Sequence, residues 1–193
     1  MITHIQGRLV EKNPTDVVID CNGVGYYLNI SLHTYSRIPD TEQLKLYTHL
    51  HIREDGHTLF GFADKAERDV FRLLISVSGI GTSTARTMLS SLTPVQVRDA
   101  IAANDVAAIQ SVKGIGAKTA QRVILDLKDK VLKIYGMEET SVGQGGTGRE
   151  EALSALEVLG FARKQSEKVV DKIVKGSQDL SVEDIIKNAL KML

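Results

Sequence analysis

The chain has 193 residues and a mass of 21.1 kDa, enough for one medium domain or two to three small ones. Its 24 Lys+Arg balance 24 Asp+Glu, which excludes a strongly basic clamp for nucleic acid but not a locally basic one, because the field depends on where charges sit. The single cysteine, Cys21, excludes an intramolecular disulfide or a cysteine metal cluster and fits a reducing compartment such as the cytoplasm.

Hydrophobic content of 42% with 25% charged residues suits a soluble globular protein. The opening Met1-Ile2-Thr3-His4-Ile5-Gln6 lacks the basic and apolar segments of a signal peptide. No run of about 18 apolar residues exists to span a membrane. Charge is unevenly divided: residues 1–64 carry a net −3, 65–130 a net +4, 131–150 a net −1, and 151–193 balance.

Residues 1–64 read as a small β-barrel. Leu44, Leu46, Thr48, Leu50 and Ile52 alternate with Lys45, Tyr47, His49, His51 and Arg53, the period of a strand with one buried face. Asp55-Gly56 follows, a strong hairpin signal. With those two residues as the loop, Ile52 faces Leu59 and Glu54 faces His57. Val17–Ile19 and Tyr26–Leu32 flank Asn22-Gly23, a second hairpin. Several short strands with turn signals predict barrel closure.

From Asp64 the period becomes helical, with Val70, Phe71, Leu74 and Ile75 on one face. The helical region, 65–136, reaches about Tyr135. Residues 143–148 read Gly-Gln-Gly-Gly-Thr-Gly, so 137–149 is expected to be a flexible linker. Residues 150–193 predict three helices, striped by Leu153, Leu156 and Leu159, by Val169, Val170 and Ile173, and by Ile185, Ile186 and Leu190. Ser181 is a natural N-cap for the last, with Asp184 three residues on.

One internal repeat stands out. Residues 76–92 read SVSGIGTSTARTMLSSL and residues 111–127 read SVKGIGAKTAQRVILDL, with eight of 17 positions identical. Each copy has an apolar turn before Gly-Ile-Gly and an amphipathic helix after it. The second helix carries Ala120, Val123, Ile124, Leu127 and Val131 on one side, with Lys118 and Arg122 four apart on one face. A single Gly-Ile-Gly is as well explained by a tight helix–helix turn. Two copies in a basic region favour a phosphate site. Glycines let a ligand approach the chain, and the following helix offers free N–H groups and a positive dipole end. Lys113, Gly114, Gly116, Lys118, Thr119 and Arg122 form the second site. Gly79, Gly81, Thr82, Ser83, Thr84 and Arg86 form the first, less basic one. Ile80 and Ile115 are expected to plug the hairpin cores.

The pattern resembles tandem helix-hairpin-helix motifs, which bind DNA backbones without reading sequence. Placed between the barrel, with its His51-Ile52-Arg53-Glu54-Asp55-Gly56 and Leu59-Phe60-Gly61-Phe62, and a Gly-linked helical tail, it resembles the RuvA family over essentially the whole chain. That resemblance implies an α+β multidomain fold: an oligonucleotide-binding (OB-fold) barrel, a tandem helix-hairpin-helix domain and a C-terminal three-helix domain. It implies a non-catalytic subunit, without cofactor or metal, that binds four-way (Holliday) junction DNA in recombination and repair. It implies a homotetramer, with an octamer as the other assembly, and RuvB, a hexameric ATPase motor, and the RuvC resolvase as partners. Glu54 and Asp55 match residues that form an acidic pin at the junction centre. Leu156, Leu159 and Phe161 are candidates for the motor-binding surface.

Other readings of the same residues are weaker. Glu54 and Asp55 alone read as a solvated turn, and two adjacent carboxylates on opposite faces make a poor nuclease centre. His49, His51 and His57 read more plainly as a polar outer strand face than as a metal site. The Gly143–Glu150 stretch mimics P-loop spacing but has Arg and Glu where Lys and Ser/Thr belong. A helix-hairpin-helix glycosylase would use Lys118 as nucleophile, but it also wants an Asp in the loop after the hairpin helix, and Asp126 and Asp129 lie within the helix. A binding scaffold without branch migration is the remaining alternative.

Overall fold

The computed structural model describes residues 1–140, 148–176 and 180–193. The chain divides into two compact units, Met1–Ile134 and Tyr135–Leu193.

In the first unit, β1 (His4–Asn13), β2 (Asp16–Cys21), β3 (Val24–Asn29), β4 (Gln43–Arg53) and β5 (Gly56–Phe62) close a barrel in the order β1-β2-β3-β5-β4. Closure satisfies the backbone groups that an open edge would leave unpaired. Ile5, Val17, Ile19, Leu28, Leu44 and Leu46 fill it. The β2–β3 turn is as the sequence predicts: Cys21 pairs with Val24, and Asn22 and Gly23 take φ of +54° and +88°.

The β4–β5 turn differs from expectation. Arg53 pairs with Gly56, so Glu54-Asp55 is the loop, Ile52 opposes His57, and Leu50 opposes Leu59. Neither Glu54 nor Asp55 takes positive φ, so Asp55-Gly56 is not the turn pair its sequence suggests. A shift of two residues leaves every side chain on its expected face.

One helix, α1 (Leu32–Arg37), lies between β3 and β4. The second, α2 (Lys65–Ile75), lies on the barrel through Phe71, whose ring is 5.1 Å from Phe60, 4.9 Å from Phe62 and 5.5 Å from His49. His49 is thus partly covered by a helix rather than set on an open polar face. Burial and the neighbouring Arg72 hold its imidazole below its ordinary value. No cluster of three or more His, Cys, Asp or Glu able to hold a metal occurs among the described residues.

Then come α3 (Thr82–Ser91), α4 (Pro94–Ala102), α5 (Val106–Gln110) and α6 (Ala117–Thr140). Phe71, Leu74, Met88, Leu89, Ile101, Ile109 and Leu127 are almost wholly buried. The expected linker 137–149 overlaps helix at both ends. Residues Met137-Glu138-Glu139-Thr140 continue α6, and α7 opens at Gly148. The Gly-rich core of that expectation, 141–147, lies outside the described residues.

The second unit packs α7 (Gly148–Val158), α8 (Arg163–Gly176) and α9 (Val182–Leu190) around Ala152, Leu153, Leu156, Val170, Ile185 and Ala189. Ser181 caps α9 as predicted, its hydroxyl accepting from Asp184 N–H. Two striped residues fall outside the core: Leu159 is 56% exposed and Leu190 44%. Gly160, at φ +96°, ends the helical path, and Phe161 N–H returns 3.0 Å to Leu156 O. That reversal turns Leu159 outward and Phe161 against the core.

Candidate nucleic-acid interface

The two repeats fold into the same object. Gly79 and Gly114 take φ of +94° and +90°, a region that costs an L-residue roughly 1–2 kcal/mol. Ile80 N–H donates to Val77 O at 3.0 Å, and Ile115 N–H to Val112 O at 3.1 Å. Ala85 N–H donates to Gly81 O, and Ala120 N–H to Gly116 O, both at 2.9 Å. Ile80 and Ile115 are buried plugs, as expected. Two pairs of helices thus present two equivalent turns.

Each turn delivers an unblocked helix start. Helices α1, α2, α4, α5 and α9 all have a side-chain oxygen capping an N-terminal N–H: Ser31, Asp64, Thr93, Asp105 and Ser181. Helix α3 has Gly81 as its N-cap and no side-chain cap. Gly116 stands in the same place before α6. A Cβ built at Gly81 or Gly116 meets nothing within 4 Å. The space beside each helix start is therefore open, with the positive end of the helix dipole behind it. Such a terminus accepts a phosphate oxygen directly.

Side chains add to it unequally. Lys113 and Lys118 are exposed and have no hydrogen-bond or ion-pair partner among the described residues. Thr119 is half-buried beside them. Arg122 reaches across to the first turn, where its Nη1 donates to Ser78 O at 3.5 Å. Around the first turn Thr82 and Thr84 are half-buried and Ser83 is exposed. Arg86 is already engaged: its Nη1 donates to Asn29 Oδ1 at 2.8 Å and Thr15 O at 3.3 Å, tying α3 to the barrel.

Glu54 and Asp55 are exposed at the β4–β5 tip and make no side-chain hydrogen bond or ion pair among the described residues. In the second unit, Leu156 is completely buried and Phe161 half-buried, so Leu156 holds that unit together instead of offering a contact. Leu159 and its neighbour Val158, 88% exposed, form an apolar surface there.

The same three-part layout appears in known proteins. The family model for the RuvA N-terminal domain matches residues 1–61, the SAM-like helix-hairpin-helix tandem model matches 71–129, and the RuvA C-terminal domain model matches 147–193. Proteins named Holliday junction branch migration complex subunit RuvA align end to end. The one from Christiangramia forsetii is 67% identical over 193 residues, and that from Flavobacterium psychrophilum 64%, each covering 100% of both chains. A more distant one, from Amoebophilus asiaticus, is 44% identical and covers 99% of this chain. The chain belongs to the RuvA family.

The RuvA N-terminal match spans the barrel and its acidic tip. The helix-hairpin-helix match spans both Gly-Ile-Gly turns, and the RuvA C-terminal match spans α7–α9. No helix among the described residues is long and apolar enough to cross a membrane.

Three features of this RuvA-family chain escape sequence reasoning. Val158 reads as one more apolar helix residue and is nearly fully exposed. Arg86 reads as a phosphate ligand but has its guanidinium on the barrel. Glu67 reads as a surface residue but is buried. Its carboxylate accepts from the Ser31 hydroxyl, the Thr34 hydroxyl at 2.5 Å and Ala63 N–H at 3.4 Å. Burial pushes this carboxyl above its ordinary value, against the hydrogen bonds that lower it. Its one signal in the sequence is its place in the first turn of α2, three residues after the Asp64 cap.

Proposed function

We propose that this chain is the DNA-binding, non-catalytic subunit of a branch migration complex, gripping four-way junctions without reading sequence. The observation that carries the reading is the pair of equivalent Gly-Ile-Gly turns, each opening a helix start with no side-chain cap. In this reading Gly114, Gly116, Lys113, Lys118, Thr119 and Arg122 hold one phosphate stretch. Gly79, Gly81, Thr82, Ser83 and Thr84 hold another, and Arg86 braces the first site from the barrel side. Backbone contacts of this type position DNA and let it slide.

Four copies around a square grip four arms and bring four acidic tips to the crossover. There Glu54 and Asp55 repel phosphates, hold strands apart and disfavour uninterrupted duplex. The C-terminal unit recruits a RuvB-type ATPase through Leu159, Val158 and the edge of Phe161. Such a complex works in the cytoplasm, where the chromosome lies. The test is strand exchange on a mobile four-way junction. This chain with a RuvB-type motor and ATP is expected to convert the junction to duplex products, whereas either protein alone leaves it intact at the same concentration. Conversion by the motor alone at the same rate contradicts the proposal.

A further inference from the structure

Between the β4–β5 hairpin and the start of α3 lies a cleft of about 480 Å³ that joins the acidic tip to the first phosphate site. His51, Arg53 and Asp55 line it from the hairpin, and Thr82, Ser83 and Arg86 from α3. Two guanidiniums face one carboxylate, so the net field inside is positive although the barrel as a whole is acidic. Its parts are held in place. Arg53 Nε donates to His51 Nε2 at 3.0 Å, and Asn29 Oδ1 and Thr15 O anchor Arg86. His51 also stacks toward His49, with ring centroids 6.3 Å apart.

The volume falls within the range of small-ligand clefts, roughly 300–1,000 Å³, and is too small for a duplex. Its chemistry is that of a single-strand path: cationic side chains for a backbone and a flat ring on which a base can stack. Its ends matter as well. One end is the unblocked N-terminus of α3, and the other is the tip that carries Glu54 and Asp55.

We propose that this cleft receives one unpaired nucleotide of the strand that leaves the first hairpin at the crossover. Arg53 holds its phosphate, with Arg86 fixed behind it on the barrel, and His51 stacks on its base. Asp55 at the rim turns the chain away from the tip. The tip then parts strands, and the cleft keeps one of them from re-pairing. This inference rests on the junction reading above.

The test uses the full chain and two static four-way junctions, one fully paired and one with two unpaired nucleotides in each strand at the crossover. 2-Aminopurine replaces one crossover base. Wild-type protein is expected to bind the open junction at least fivefold tighter and to quench the reporter. Arg53→Ala with His51→Ala is expected to lose that preference and the quenching, while duplex affinity changes by less than twofold. Arg53→Lys alone retains part of the preference, because the charge is kept. Two results overturn the cleft while leaving the junction reading intact: equal affinity of the wild type for open and paired junctions, or a double variant with an unchanged ratio. A wild type with no preference for any junction over duplex overturns both.

Discussion

The glycines of the two turns divide into two kinds. Gly79 and Gly114 are needed by the fold, since φ near +90° suits no other residue. Gly81 and Gly116 are not needed by the fold, since neither takes positive φ and a Cβ there touches nothing in the free protein, and in the proposed function they leave room for a phosphate. Gly114→Ala is therefore expected to lower unfolding free energy by roughly 1–2 kcal/mol in chemical denaturation. Gly81→Ala is expected to cost under about 1 kcal/mol of stability, the difference between glycine and alanine at an N-cap. Its duplex and junction affinity is nevertheless expected to fall severalfold in a band shift, because the methyl stands where a phosphate oxygen must approach. Lys118→Ala is expected to weaken binding to all DNA alike and to reduce the salt slope by about one unit for each phosphate left without its lysine. The sequence told most of this directly: the repeat, its glycines and its lysines are all visible in one dimension. It did not tell which of the glycines the backbone needs, because that depends on φ.

The joints between elements are where the sequence was least informative. Ser31, the cap of α1, and Thr34 within it meet Glu67 of α2 across more than 30 residues, and no local pattern marks the three as partners. The Arg37–Asp64 ion pair at 2.6 Å and the Ser90 hydroxyl that accepts from Leu32 N–H at 3.1 Å complete that joint. Glu67 gives it a measurable pH dependence. Its folded-state carboxyl sits above the ordinary value, so the folded state binds the proton more tightly than the unfolded chain. The contribution is present below the ordinary carboxylate range and is lost as pH rises through the raised value. Glu67→Gln removes this titration. The stability difference, variant minus wild type, is expected to grow as pH rises from about 4 to 7 in urea melts, and a flat difference contradicts the assignment. Glu67→Ala leaves two buried hydroxyls without their acceptor and is expected to cost roughly 1–3 kcal/mol. The β4–β5 register is a related case. Asp55-Gly56 advertises one turn, yet the chain closes on Glu54-Asp55, because cross-strand pairing along the whole β4–β5 ladder outweighs a dipeptide preference.

At the scale of the molecule, the neutral total charge conceals a division of labour between an acidic barrel and a basic pair of hairpins. The barrel, the paired hairpins and the helical tail were legible from periodicity, turn residues and the repeat. The tail's contact surface was not, because apolar helix residues look alike until burial separates them. Leu156→Ala is expected to destabilise the C-terminal unit by about 2–5 kcal/mol, as a buried leucine does. Val158→Ser with Leu159→Ser is expected to leave its melting unchanged and to abolish motor-dependent junction processing without loss of DNA binding. In the proposed reading, the paired turns grip DNA arms while the acidic tips select the four-way junction. Its most direct test is the ratio of junction to duplex affinity over a salt series, for the wild type and for Glu54→Gln with Asp55→Asn. A steep, similar salt slope is expected for both proteins on both DNAs, with a high ratio in the wild type that falls severalfold in the variant. An unchanged ratio in the variant, or binding insensitive to salt, contradicts it.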